Sequence, residues 1–292
     1  MKLLFHNYQI SGRGDSTSIL NYSRLLTPLG VETMATFPPS PLNDSFRVDD
    51  LKENGINVER YKSNKDLHRI AQTFGATHVL FVNDGRYSSL YVPNARNLVH
   101  ATFNNFEPYG DVYAYISHWL FKKATKRKGK IKFPRTEHQS SSEQSPYSVS
   151  WETRVTWVPH TVYATKGDGE SFRSRFGIPK TAYLVGRIGG YHEFSDVAAR
   201  LAIEKFIEKE KDSYLVCVNT KPFFLHRRVK YLGYISEEEK WNFYDACQVL
   251  INGRLMGEGF GYSIVEPLML GKPIIAPSIK RNRSMDANHI EI

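Results

Sequence analysis

Residues Gly253–Pro277 read GRLMGEGFGYSIVEPLMLGKPIIAP, and this stretch decides the fold. A short apolar run, Val249–Asn252, leads into it and reads as a strand. A glycine-rich turn follows, then Tyr262–Leu270 reads as a helix, and Gly271-Lys272-Pro273 opens another strand at Pro273–Ala276. Glycines let the backbone approach a ligand closely, and a helix N-terminus offers free amides and partial positive charge to an anion. Glu258 sits on the turn, and Glu266 lies about one turn into the helix. Carboxylates at such positions can each accept two hydroxyl donors, as a sugar and a ribose present them. A lone pair of glutamates would equally suit a solvated αβ turn. The complete strand–turn–helix–strand string sets that reading aside.

The surrounding chain has the composition of a folded protein, with 292 residues, 41% of them hydrophobic and 13% aromatic. That length accommodates two medium domains. No run of eighteen apolar residues occurs, which argues against a conventional membrane-spanning helix. Met1–Ile10 lacks the pattern of a secretory signal and reads as a first buried strand. Cys217 and Cys247 have no metal-ligand spacing and suggest no disulfide framework, so a reducing, cytoplasmic setting is expected. A formal net charge of +9 predicts attraction to anions, among them nucleotides, phosphorylated substrates, anionic lipid and nucleic acid.

Working outward, short β-rich runs alternate with helical stretches. Strands are expected at Lys2–Tyr8, Val31–Phe37, Asn57–Tyr61, His78–Val82, Asn97–His100 and Val112–Ile116. Helices are expected at Ser16–Leu29 and Lys65–Phe74, the second capped by Ser63 or Asn64. Lys122–Lys132 carries seven Lys or Arg, and Glu137–Ser150 is rich in Ser and Gln, so an exposed insertion is expected over about 122–150. The alternation resumes with strands at Thr153–Val158, Ala182–Gly186, Tyr214–Asn219 and Val229–Leu232, and helices at Val197–Lys209 and Glu237–Ala246. Continuous apolar strands separated by helices predict α/β architecture with parallel sheets covered on both faces. Two Rossmann-like domains with a cleft between them are expected, 1–155 and 156–292.

The Glu258–Glu266 string resembles the retaining glycosyltransferases of family four (group 1), whose GT-B fold has two Rossmann-like domains with parallel sheets facing an interdomain cleft. The resemblance implies that Glu258 contacts the donor sugar in a catalytic role and Glu266 the nucleotide ribose. It also implies that backbone amides around Gly259, Phe260, Gly261 and Ser263 meet the hexose and diphosphate. Gly186-Arg187 matches a Gly-Arg pair whose arginine binds the donor phosphates, a task suited to a bidentate guanidinium. Five residues later the family usually carries Lys-Gly, where this chain has His192 and Glu193. Lys221, following the strand Tyr214–Asn219, is a candidate replacement cation, with an unengaged surface lysine as the alternative. Together with Gly189-Gly190 and Gly253-Arg254, these features look like a phage, viral or bacterial subgroup. The resemblance further implies more strands and helices beyond Pro273–Ala276, so the C-terminal domain is expected to be abbreviated.

In the first half, Gly12, Arg13 and Gly14 sit between a strand and a helix, an anion-friendly arrangement that the resemblance places over the donor phosphates. His100 ends a strand, where the resemblance puts a histidine near the hexose; a satisfied structural histidine is the alternative. No Asp-x-Asp dyad, His/Cys ligand cluster, hydrolase elbow or P-loop occurs. No required metal is therefore expected, and the resemblance implies transfer of a hexose from a UDP-, GDP- or ADP-sugar, with no cofactor, to a glycan, lipid or protein hydroxyl. Peripheral contact with an anionic membrane is compatible with the basic run, and no nucleic acid is expected. A nucleotide-sugar epimerase of the same fold and a non-catalytic sugar- or nucleic-acid-binding protein are the alternatives.

Overall fold

The computed structural model describes residues 1–127 and 153–277, which form two compact α/β units. The first comprises Met1–Ser11 and Ser18–Thr161; the second comprises Gly12–Thr17 and the chain from Val162.

The first unit is built on a parallel sheet of seven strands in the order β3-β2-β1-β4-β5-β6-β7. These are β1 (Lys2–Asn7), β2 (Glu32–Phe37), β3 (Asn57–Arg60), β4 (His78–Asn83), β5 (Arg96–Ala101), β6 (Val112–Tyr115) and β7 (Arg154–Trp157). Successive side chains of β1 face opposite ways, and both faces are buried. Leu3 and Phe5 pack with Ile19 and Leu20 of α1 (Gly14–Leu26), while Leu4 packs with Leu67 and Ile70 of α3 (Asn64–Phe74). Helix α3 starts where the capping signal lies, since the Ser63 side chain accepts from the Asp66 amide.

The second unit has a parallel sheet in the order β10-β9-β8-β11-β12. Its strands are β8 (Tyr183–Ile188), β9 (Ser213–Val218), β10 (Val229–Leu232), β11 (Val249–Ile251) and β12 (Ile274–Ile275). Leu184, Val216 and Leu250 pack on one face with Trp241 and Phe243 of α7 (Glu237–Ala246). Val185, Leu215 and Val249 pack on the other with Ile203 and Ile207 of α6 (Val197–Lys209). Strand order reverses between β8 and β11, and the carboxyl ends of strands at such a reversal are where open α/β sheets bind ligands. Cys217 and Cys247 are free and buried.

Several expectations are corrected. Thr153–Val158 does not open the second unit: its core, β7, pairs in parallel with β6 at the edge of the first sheet, and the first unit runs to Thr161. A strand's apolar pattern records that it is buried but not which sheet it joins. Lys122–Arg127 does not start an insertion; it completes α4 (His118–Arg127), which buries Leu120 and Ala124 at i,i+4 and exposes Lys122 and Lys126. The remainder of that expected insertion, 128–150, lies outside the described residues. The helix expected at Ser16–Leu29 ends as α-helix at Leu26 and continues as a 3-10 turn, Thr27–Leu29, because Pro28 brings no N–H for an i→i−4 bond. Helices α2 (Ser45–Glu53) and α5 (Gly169–Arg175) were not anticipated, being short and weakly patterned. No helix among the described residues is long and apolar enough to cross a membrane.

Candidate functional site

The reversal point of the second sheet brings Arg187 together with Arg254 and Glu258 of the quoted stretch. Arg187 is the fifth residue of β8 and is only 3% exposed. Its Nε and Nη1 are buried without a hydrogen-bond partner, and the guanidinium lies 5.3 Å from the Phe194 ring centroid. A Cβ on Gly189 would fall 2.3 Å from Nη1, so glycine there gives the guanidinium its space. Burial lowers the Arg187 pKa, opposed by the nearby carboxylates of Glu193 and Glu258. A buried cation holding unused donors is poised for an anion.

The chain leaving β11 supplies the opposing charges. Asn252 turns its side chain back: Oδ1 accepts from the Arg254 amide at 3.1 Å, the local turn that asparagine favours. Its Nδ2 reaches the Glu258 carboxylate at 3.3 Å and the Ser263 hydroxyl at 3.2 Å. Arg254 Nη1 donates to Glu258 at 2.7 Å, and Nη2 lies 3.3 Å from Glu193. Glu258 has a side chain 15% exposed; burial raises its pKa, opposed chiefly by Arg254. Gly261, at φ 80°, is the left-handed residue that lets the turn enter α8 (Tyr262–Met269). The N-terminal end of α8 thus stands beside Glu258 and Ser263, adding amides and helix dipole to the site.

Glu266 is placed differently from its neighbours in the motif. It is 1% exposed, with one oxygen on Lys240 Nζ at 2.6 Å and the other accepting from the Tyr244 hydroxyl at 2.7 Å. Lys240 also meets Glu237 at 2.9 Å. Burial raises the Glu266 pKa while Lys240 opposes the rise. The carboxylate therefore holds α7 against α8, with acceptor capacity to spare on each oxygen.

Lys221 is exposed and takes no part in the Arg187–Arg254–Glu258 cluster. Its backbone amide donates to Tyr191, and it lines a pocket of about 380 Å³ with Tyr191, His192, Arg200 and Phe223. Phe194, which lines the same pocket, also faces Arg187. Phe260 packs edge-on to Tyr262, and Gly259 precedes it on the turn. Gly12 and Arg13 are exposed in the β1–α1 connection and Gly14 is exposed as the first residue of α1, all in the short stretch that groups with the second unit.

His100 lies in the interior of the first unit at 2% exposure. Its Nε2 donates to the Val158 carbonyl at 2.7 Å, which leaves Nδ1 buried and unprotonated, and burial lowers its pKa to about 4. The ring stands edge-on to His160 at 4.7 Å and near Tyr22, whose hydroxyl donates to the Pro159 carbonyl at 3.2 Å. The packed, neutral histidine is what this environment makes of it.

Sequence reasoning passed over Asn252, Arg254, Glu193 and Phe194 as working parts of the site. The sequence carries a signal for Asn252, an Asn-Gly pair directly after a strand, and a weak one for Arg254 in an opposite charge four residues before Glu258, but none for Glu193 and Phe194.

Comparison with known proteins bears on the fold and on one segment of the chain. Residues 209–288 match the sequence model of the family described as "Glycosyl transferases group 1", a segment that contains Asn252, Arg254, Glu258 and Glu266 but not Arg187. No curated protein matches the chain. Among solved structures, Anabaena HepE in complex with UDP-glucose is similar at TM-score 0.62 and 14% identity, covering 94% of this chain and 80% of that one. The pneumococcal O-GlcNAc transferase GtfA in complex with UDP and GlcNAc is similar at TM-score 0.64 and 8% identity, covering 94% and 83%. S. aureus TarM in complex with Fondaparinux, alpha-GlcNAc-glycerol and UDP is similar at TM-score 0.58 and 10% identity, covering 99% and 90%. At such identities the likeness establishes architecture. The chain has the α/β GT-B fold of these glycosyltransferases, and its residues 209–288 carry the group 1 glycosyltransferase pattern.

Proposed function

We propose that the protein is a retaining glycosyltransferase that moves a hexose from a nucleoside diphosphate sugar to an acceptor hydroxyl without a divalent metal. The observation that carries this reading is Arg187, a buried guanidinium with two unpartnered nitrogens near Glu258, on the turn that leads into α8. The UDP, UDP-glucose and GlcNAc held by the similar structures support a sugar nucleotide as that anion.

In this reading the diphosphate takes the Arg187 donors and the first amides of α8, which stabilise its charge as it departs. Glu258, held by Arg254 and Asn252, accepts hydroxyls of the hexose and stabilises positive charge developing at the anomeric carbon. The bond from that carbon to the phosphate oxygen breaks, and the acceptor oxygen bonds to the same face of the sugar. The acceptor's proton passes to the departing phosphate, so configuration is retained with no covalent enzyme intermediate. Glu266 would offer its remaining lone pairs to the ribose. We place any contact with anionic lipid on the Lys122 and Lys126 face of α4.

The test is thermal shift with UDP-, GDP- and ADP-sugars, followed by nucleoside diphosphate release with and without acceptor and NMR of the product's anomeric proton. Binding of one donor, acceptor-dependent release and a retained anomer are expected. No thermal shift with any donor sinks the reading. Release that ignores acceptor would favour the epimerase alternative, and binding without turnover a sugar-binding protein.

A further inference from the structure

Two guanidiniums stand at this reversal point, and only one has a role so far. Strands β8 and β11 are neighbours, with Leu250 beside Gly186, so the chain leaving β11 toward Arg254 emerges next to Arg187. The arginines are close enough for Arg254 to depress the Arg187 pKa. Arg254 is fixed at one end, where Nη1 donates to Glu258 at 2.7 Å. Its other edge, formed by Nε and Nη2, is the fork that grips two oxygens of one anion. Nε is buried and unpartnered, and Nη2 meets a single Glu193 oxygen at 3.3 Å. The second Glu193 oxygen accepts from the Gly190 amide, also at 3.3 Å. Both contacts are longer than a strong charge-assisted bond, and the Glu193 side chain is 39% exposed.

A half-exposed carboxylate on two long contacts thus covers a fork that it fills only in part. Without a ligand it offsets two adjacent cations. A phosphate could fill both arms of the fork and also reach the unpartnered Arg187 donors, and Glu193 could return to water at low cost. We propose that Arg254 is the second phosphate-binding cation of the site and that Glu193 is its resident counter-ion, displaced by the diphosphate. This assignment rests on the donor-binding reading above. It gives Glu193 a competitive role: the carboxylate steadies the empty site and weakens donor binding by the strength of the contact it gives up.

The experiment is calorimetric titration of the full chain with UDP and separately with uridine, the second lacking the diphosphate. GDP with guanosine, or ADP with adenosine, replaces them if that base is the one bound. Glu193→Gln removes the competing charge and should tighten UDP binding by roughly threefold to tenfold with uridine unchanged. Arg254→Lys keeps a charge but loses the fork, and should weaken UDP about tenfold or more while moving uridine less than about twofold. Glu193→Gln leaving UDP affinity unchanged or weaker overturns the exchange. Arg254→Lys weakening UDP and uridine alike shows a structural role and overturns the assignment of the cation. A wild-type chain that binds none of the three nucleoside diphosphates overturns the donor reading itself, which the variants then need not address.

Discussion

Replacing Arg187 with Met should stabilise the unliganded protein and abolish donor binding, two effects of opposite sign from one side chain. The guanidinium is 3% exposed and leaves Nε and Nη1 unpartnered. Each buried, unsatisfied donor costs about 1–3 kcal/mol. Against this stand the contact with the Phe194 ring, worth about 0.5–2 kcal/mol, and attraction to Glu193 and Glu258, which Arg254 opposes. The direction of the balance follows from the lowered pKa: burial outweighs every favourable partner the charge has. Met fills a similar volume without donors, so a net gain of about 1–3 kcal/mol is expected, or a rise of roughly 3–10 °C in the second unit's melting temperature. In the presence of excess UDP the order reverses, because only the wild type gains ligand stabilisation. Differential scanning calorimetry with and without UDP reads both effects. A lower melting temperature for the ligand-free variant, or an undiminished UDP-induced rise, refutes the reasoning that this arginine is held for an anion.

Three further outcomes follow from the same geometry. Burial raises the Glu258 pKa above its ordinary 4.5, so the fold favours its proton, and that contribution is present below 4.5 and lost as pH rises through the raised value. Because the ionised form pairs with Arg254, the acid limb of kcat/KM should lie above pH 4.5 and vanish, with most activity, in Glu258→Gln. In the first unit, His6 and His100 have pKa values lowered by burial from 6.5 to about 3 and about 4, so their neutral forms stabilise the fold above pH 6.5 and that stability is lost as pH falls. Each should cost about 2 kcal/mol between pH 7 and pH 5, and urea midpoints of His100→Gln should show a smaller loss than wild type; an equal loss counts against a neutral buried His100. Lys240 sits between Glu266 and Glu237 with a side chain 11% exposed, so Lys240→Met should destabilise by about 3–5 kcal/mol in a urea titration, the effect easing at low pH as the carboxylates protonate.

The amino-acid sequence by itself determined the alternation of strands and helices, the parallel sheets and the placing of Glu258 on a glycine turn ahead of a helix. These are local matters: apolar runs, a capping serine at 63 and glycines at 259 and 261 act within a few residues of themselves. The family pattern likewise sits in one contiguous segment, so it could be read before any chain path was known. Only the tertiary structure decided that β7 belongs to the first sheet, because a strand's burial pattern does not name its neighbour. Only the structure showed that Glu266 is locked between Lys240 and Tyr244, residues of α7 that lie 26 and 22 positions away. His100 became a packed, neutral side chain because His160 and the Val158 carbonyl, remote in sequence, close over it. And Arg254, which the sequence sets only near Glu258, became a candidate phosphate ligand once β11 was seen next to β8 and Glu193, 61 positions earlier, beside its guanidinium. Charge and burial at a site are sums over every element packed there, and sequence proximity supplies only some of the addends.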